Sequence, residues 1–357
     1  MKQIPLFKPS CSKLEIESVN KVLKSGWWTM GEVVKKLEEE FASFVGMKYA
    51  VALNSATSAL HLAVHVLKER SRIKDGNIIV PSLTFVSTGM VGLYEKLDVR
   101  FSDIDGSSLC MSEEDTKKMI DEKTIAVIPV HYGGRLAKTN YDIPVIEDCA
   151  HLGGYRGPFN SIMQTWSFHA VKNISSGDGG MITTNDEEIY EILKRKRWMG
   201  INRSTFERDS KGYNWEYNID EIGFKYHMND ITAALALAQL NRVIDLNAKR
   251  RDIANVYTKE FSNLPIEIPT KSETWHLYPI RIDSDIRNDF IEYMRKSSIS
   301  VGVHYKPIHL YSVFEYCSLP MTEAIWKQLV SLPIYPDMKL NELKRVVKTV
   351  KKYFNKK

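Results

Sequence analysis

The apolar positions change period several times along the chain, and each change marks an element. Val33, Val34, Leu37, Phe41 and Phe44 recur at helical spacing, which predicts an amphipathic helix ended by Gly46. A shorter helix is predicted over residues 14–23, closed near Ser25 and Gly26, behind an extended, proline-punctuated arm at residues 4–12. Short apolar runs then alternate with helical stretches: residues 49–53, 77–80, 99–103, 125–130, 145–148, 165–168 and 181–184. Short buried strands separated by helices predict an α/β fold, with a mostly parallel sheet covered on both faces.

A long Ala- and Leu-rich helix is predicted from Asn229 onward, linking the sheet domain to a smaller unit. That unit has predicted strands near residues 275–282 and 300–304, and helices around 287–296 and 322–329. The expected division is residues 1–245 for the arm and large domain, and 246–357 for the small C-terminal domain. Only ten residues, 135–144, separate the strand at 125–130 and its HYGG turn from the strand at 145–148. They are too few for a crossover helix with its loops, so a covering helix is expected to be reduced to a turn or lost.

Composition narrows the class. With 357 residues, 43% hydrophobic and 26% charged, the chain reads as an ordinary globular protein with room for a large core. The net charge of +5 is mild, and much of the excess follows Lys339. There Leu340, Leu343, Val346, Val347, Val350 and Phe354 keep helical spacing, which predicts a docked amphipathic helix with a solvated basic face. No base-reading motif accompanies it, so nucleic acid is not an expected partner. Cys11, Cys110, Cys149 and Cys317 are scattered, which argues against a disulfide framework or a zinc site and fits a reducing compartment. No apolar run approaches the roughly 20 residues of a membrane span, and MKQIPLFKPS lacks a signal-peptide core. The expected location is cytoplasmic, with no membrane partner.

Candidate chemistry gathers on Lys172, in WSFHAVKNISSGDGGMIT. A lysine that reacts with a carbonyl must be held rigidly and partly desolvated, because its ammonium form is a poor nucleophile. A strand end followed by a glycine-rich turn supplies both conditions, although a surface lysine at a hairpin has the same pattern. Ser55, Ala56 and Thr57 stand between a strand and an apolar helix, where unpaired N–H groups form an anion site or simply an N-cap. Asp148 ends a buried strand in VIEDCAH, the edge at which open α/β sheets bind ligands. A buried carboxylate there needs a cation, either a protonated ring nitrogen or an arginine. An anion site, a buried carboxylate and a reactive lysine together meet the needs of pyridoxal phosphate. GDGG is not a Walker loop, GGYRG is not a dinucleotide fingerprint, and the histidines lack metal spacing, so no metal is expected.

LNSATSALHLAV, VPSLTFVSTG, PVHYGG, VIEDCAH, SFHAVKN with GDGGMITTND, GFKYHMNDITAALALAQL, HYKPIH and SLPIYPDM follow one another in the order of a known pattern. Nearly the whole chain resembles the DegT/DnrJ/EryC1/StrS family of nucleotide-sugar aminotransferases, which use pyridoxal phosphate. The resemblance implies fold type I, like aspartate aminotransferase: a mostly parallel seven-stranded sheet domain plus a smaller α+β domain. It implies that Lys172 carries the cofactor and moves the proton, and that Asp148 faces the ring nitrogen. Ser55, Ala56, Thr57 and Ser167 would hold the phosphate, Phe85 would stack on the ring, and His151 would stand beside the ring hydroxyl. His227 occupies the position from which a neighbouring subunit reaches the phosphate, so a homodimer with shared sites is implied. Trp28, His304, Tyr305 and His309 are the implied substrate contacts, and residues 203–218 a loop over the nucleotide. The implied reaction moves an amino group from L-glutamate to C4 of a 4-keto-6-deoxyhexose linked to dTDP, UDP or GDP, for surface polysaccharide or glycan synthesis. Amination at C3, a dehydratase on the same scaffold, and a non-catalytic member are the alternatives; relatives that dehydrate carry His where this chain has Lys172.

Overall fold

The computed structural model describes residues 2–201, 217–219 and 221–355. Two helices follow the arm, α1 (Lys13–Ser25) and α2 (Glu32–Val45). Ser12 and Glu15 form a capping box at the start of α1, each side chain satisfying the other's orphan N–H, and Gly26 closes the helix in the left-handed region. The sheet strands are β1 (Tyr49–Leu53), β2 (Asn77–Pro81), β3 (Asp98–Ser102), β4 (Thr124–Val127), β5 (Ile146–Asp148), β6 (Met163–Ser167) and β7 (Gly180–Thr184).

The ladders β1-β7-β6-β5 and β3-β2-β4 are joined by parallel bridges from Val127 to Val145 and from Val130 to Asp148. One twisted surface therefore runs β1-β7-β6-β5-β4-β2-β3, with β7 alone antiparallel to its neighbours. This is the mostly parallel seven-stranded sheet of fold type I. Helices α3 (Ala56–Ser71), α4 (Ser87–Tyr94) and α6 (Glu187–Lys196) pack on one face, after the short α5 (Glu113–Met119). On the other face α2 packs with α7 (Asp230–Leu240) around Phe41, Trp166 and Phe168. Asp230 ties these two helices together, since its carboxylate accepts from the Gly31 and Val34 N–H groups at the start of α2. Burial on both faces explains why β1, β2 and β4 read as apolar runs, whereas β5 and β6 bury the polar Glu147, Asp148, Gln164 and Thr165.

The helix expected to continue from Asn229 breaks at Asn241 and Arg242 and resumes as α8 (Val243–Phe261). A second core gathers around α8, α9 (Ser284–Lys296), the antiparallel pair β8 (Tyr278–Arg281) and β9 (Leu329–Leu332), and α11 (Leu340–Phe354). Ile4 of the arm is fully buried in that core and bridges to Ile299. Two expectations need correction here. Residues 300–304 form a single bridge at Gly302 rather than a strand, and the helix expected over 322–329 is only α10 (Pro320–Ile325), followed by β9. Residues 135–144 contain no helix; Tyr141 and Ile143 instead lay an extended strap over Ile79, Met111 and Val127.

Candidate active site

The C-terminal edges of the parallel strands converge on a cleft of about 480 Å³. The end of β1 leads into the start of α3, the end of β2 into Thr84, Phe85 and Thr88, β5 delivers Asp148, and β6 delivers Ser167. From the small domain, His304 and Tyr305 close the opposite side, and Phe7 of the arm reaches in beside them.

Lys172 lines this cleft from the loop between β6 and β7. Its N–H bonds to the His169 carbonyl at 2.8 Å, and next to it the buried Asn173 donates to Asn247 of α8 and to the Thr274 carbonyl. The lysine is thus anchored through its backbone and its neighbour. Among the described residues its Nζ makes no hydrogen bond or ion pair. Burial lowers its pKa to about 8, against the pull of the Asp148 charge. The amine is therefore available as a nucleophile near neutrality. Its capture of pyridoxal phosphate by the cofactor-free chain is expected to quicken with pH and reach half its plateau rate near pH 8, not near 10.5. Rapid-mixing absorbance across that range measures it.

Asp148 is held at both oxygens. Oδ1 accepts from the Ala150 N–H and Oδ2 from the Thr88 hydroxyl, each at 3.0 Å, and Thr84 backs Thr88 at 3.0 Å. Burial pushes the carboxyl above its ordinary range, and the Ala150 and Thr88 bonds and the Lys172 charge oppose that rise. Among the described residues this acid forms no ion pair, and the Lys172 charge acts on it without contact.

The anion site has a mixed outcome. Ser55 is the N-cap of α3, its Oγ accepting from Ser58 N–H at 3.0 Å, while the N–H groups of Ala56 and Thr57 in the first turn have no intrahelical acceptor. The glycine turn explains how β7 reaches this point. A Cβ on Gly180 would lie 2.3 Å from the Ser55 carbonyl oxygen and 2.6 Å from the Ala56 nitrogen, so only glycine lets the strand pass under the helix start. Gly180→Ala is expected to lower the unfolding free energy by about 1–3 kcal/mol by overpacking. Displacing the helix start should also weaken cofactor binding about tenfold. Denaturant unfolding and cofactor titration measure the two effects.

His151 is fully enclosed, accepts from the Gly133 N–H at Nδ1 (3.1 Å), and lies 3.2 Å from the Tyr305 hydroxyl at Nε2. Burial and the Lys172 charge hold its pKa well below the usual histidine value, so the ring is neutral. Phe85 stands half exposed at the mouth, 6.2 Å from the Tyr305 ring.

A profile of the DegT/DnrJ/EryC1/StrS aminotransferase family matches residues 9–351. The chain belongs to that family. It is 38% identical to protein MJ1066 of Methanocaldococcus jannaschii, over 98% of this chain and 97% of that one. Among solved structures, the sugar aminotransferase Spr1654 of Streptococcus pneumoniae in its PMP form superposes with a TM-score of 0.90 at 27% identity, covering 99% of both chains. Helicobacter pylori PseC, an aminotransferase involved in the biosynthesis of pseudoaminic acid, matches with the same score and identity over 100% of both chains. The activity is transamination, and the cofactor is pyridoxal phosphate.

The residues of this aminotransferase fit that cofactor. The cleft joins a desolvated amine, an acid without an ion pair and a helix start with open N–H groups, matching the cofactor's aldehyde, ring nitrogen and phosphate. Ser55, Ala56, Thr57, Phe85, Asp148, His151, Ser167, Lys172, His304 and Tyr305 all line the cleft. Trp28 and His309 do not, and His227, expected to serve a second copy's site, lies outside this chain's own cleft. Trp28 is half exposed and donates to the Leu23 carbonyl, since the loop after α1 turns it back onto that helix. The His227 ring packs on Trp198 at 4.2 Å. His309 is turned inward, 2.5 Å from Ser82 and 3.4 Å from Glu323. The loop expected at residues 203–218 lies almost wholly outside the described residues.

Phe7, Thr84 and Thr88 were not legible as site residues. The helical spacing of the two threonines inside VPSLTFVSTG is a usable signal, whereas Phe7 depends on where Ile4 anchors the arm. His131, Glu147 and Cys149 cluster closely enough to suggest a metal site. Hydrogen bonds already use the ring and the carboxylate: Ala137 N–H to His131 Nδ1, His131 Nε2 to Glu147, and Ser161 to Glu147.

Proposed function

We propose that the chain transfers an amino group from L-glutamate to C4 of a nucleotide-linked 4-keto-6-deoxyhexose, the nucleotide being dTDP, UDP or GDP. The observation that carries this reading is the unpaired, desolvated Lys172 amine in the cleft that Asp148 closes. Likeness to Spr1654 and PseC supports a sugar substrate. The form of SFHAVKN with GDGG favours C4 over C3, and a lysine at 172 favours transfer over dehydration.

When bound, pyridoxal phosphate supplies a carbonyl that accepts the amine and a ring that takes up electrons. The residues do the rest. Lys172 Nζ would hold the cofactor and would also be the group that moves a proton to and from the substrate carbon, at a pKa suited to giving and taking it. Asp148 would keep the ring nitrogen protonated, and Thr88 and the Ala150 N–H fix the carboxylate's orientation for it. Ala56 and Thr57 offer backbone N–H groups to the phosphate, with Ser55 and Ser167 beside them. Phe85 covers the ring and excludes water, which strengthens the electrostatics beneath it. His304 takes a place beside the sugar. His227, neutral because burial lowers its pKa to about 4, would offer an N–H to the phosphate held by a second copy of the chain.

Incubation with keto-sugar nucleotides and L-glutamate is expected to yield amino sugar and 2-oxoglutarate in equal amounts. A deoxy product without nitrogen would contradict the reading. Running the dTDP, UDP and GDP forms side by side, with NMR of the product, identifies nucleotide and carbon.

A further inference from the structure

His151 occupies the place expected to meet the cofactor's ring hydroxyl, yet its hydrogen bonds leave it nothing to give. The Gly133 N–H points at Nδ1, which must therefore be the bare nitrogen. The ring's one proton then sits on Nε2, and its partner is the Tyr305 oxygen at 3.2 Å. Tyr305 thus accepts from His151, and its own proton has no acceptor among the described residues. The two rings lie nearly parallel, 21° apart, and His276 backs His151 at 4.3 Å with its Nδ1 tied to Asn173, next to Lys172. The hydroxyl of Tyr305 is fixed from behind and opens onto the cleft shared with Asp148 and Lys172.

We infer that Tyr305 is the direct donor to the ring hydroxyl oxygen of the bound cofactor, and that His151 is a positioning residue behind it. The inference rests on the site reading above. In the cofactor the phosphate arm and the hydroxyl flank the aldehyde on opposite sides. With the phosphate at the start of α3 and the ring nitrogen at Asp148, the hydroxyl falls toward the loop after β5, where His151 holds Tyr305. Burial keeps the tyrosine protonated, so while its oxygen accepts from His151 its own proton is free to be donated into the cleft. Such a donor stabilises the anionic oxygen, and with it the loss of the proton that this oxygen shares with the lysine nitrogen.

The test is the pH midpoint of the bound cofactor's absorbance change, read in reconstituted enzyme without substrate. The charged or titratable groups around it, Lys172, Asp148, His169, Asp178 and His304 in the cleft and Tyr132 and His276 behind it, remain in every variant. Tyr305→Phe is expected to raise the midpoint by about one pH unit, the effect of one hydrogen bond to a charged oxygen. Incorporation of 3-fluorotyrosine at position 305, a more acidic donor, is expected to lower it. His151→Ala should raise it by less than Tyr305→Phe, because the hydroxyl remains but loses its orientation. An unchanged midpoint in Tyr305→Phe, or a full shift in His151→Ala with none in Tyr305→Phe, would overturn the inference and leave the site reading intact. If the parent enzyme holds no cofactor on Lys172, the site reading fails and the inference with it.

Discussion

Lys172→Ala is expected to lower amino transfer by at least about 10⁴-fold while the chain still folds and binds pyridoxal phosphate through its phosphate and ring. Two functions are lost together. The nitrogen that holds the cofactor is gone, and so is the base that moves the proton, a role alone worth about 10² to 10⁴ in rate. No other lysine lines the cleft, so no described neighbour can substitute. Production of amino sugar at saturating glutamate and keto sugar measures the loss. Small primary amines in the buffer should restore part of the rate, because they can carry the proton through the space the side chain leaves. Structural damage would not respond to them. Turnover at the parent rate in this variant would refute the mechanism.

Asp148→Asn should separate stability from activity. Its fully buried carboxyl has a folded pKa raised above the ordinary value of 3.8. A group raised in this way costs folded-state stability as pH climbs above the ordinary value, because the folded chain must give up a proton it would otherwise keep. An amide can still accept from Ala150 N–H and pair with Thr88, and it removes a buried charge that forms no ion pair. The cofactor-free variant is therefore expected to be at least as stable as the parent at pH 7, while turnover falls about 10² to 10³-fold, the usual cost of losing one preorganised electrostatic partner. Thermal unfolding and steady-state rates, taken on the same preparation, check both halves. A large loss of stability would mean that Asp148 is ion-paired in the cofactor-free chain, contrary to the geometry.

Most of the large domain was legible because two-sided burial leaves a plain trace. Strands β1, β2 and β4 are short, largely apolar runs, β5 to β7 bury polar residues among apolar ones, and the strand ends carry the polar residues of the cleft. Lys172, Asp148 and the 55–57 segment could be connected because one cofactor needs all three. What the sequence hid are the features set by long-range contacts. The β9 strand precedes a proline-rich turn, and it is a strand only because Tyr278–Arg281 lies beside it. The helix break at Asn241 and Arg242 has no glycine or proline to announce it. His309 sits four residues after the cleft residue Tyr305, but the chain turns it toward Ser82 and Glu323. Trp28 was expected as a substrate contact only by the family resemblance; in the fold its indole bonds back onto α1. The Gly133–His151–Tyr305 chain joins three separate segments, and no local pattern encodes it.

One covalent attachment underlies the whole account. Borohydride reduction of the enzyme reconstituted with pyridoxal phosphate, followed by proteolysis and peptide mass spectrometry, tests it directly. The expected result is a single pyridoxyl-phosphate adduct on the peptide containing Lys172, absent when substrate amine is supplied before reduction. An adduct on any other lysine, or tightly bound cofactor with Lys172 unmodified, would contradict it.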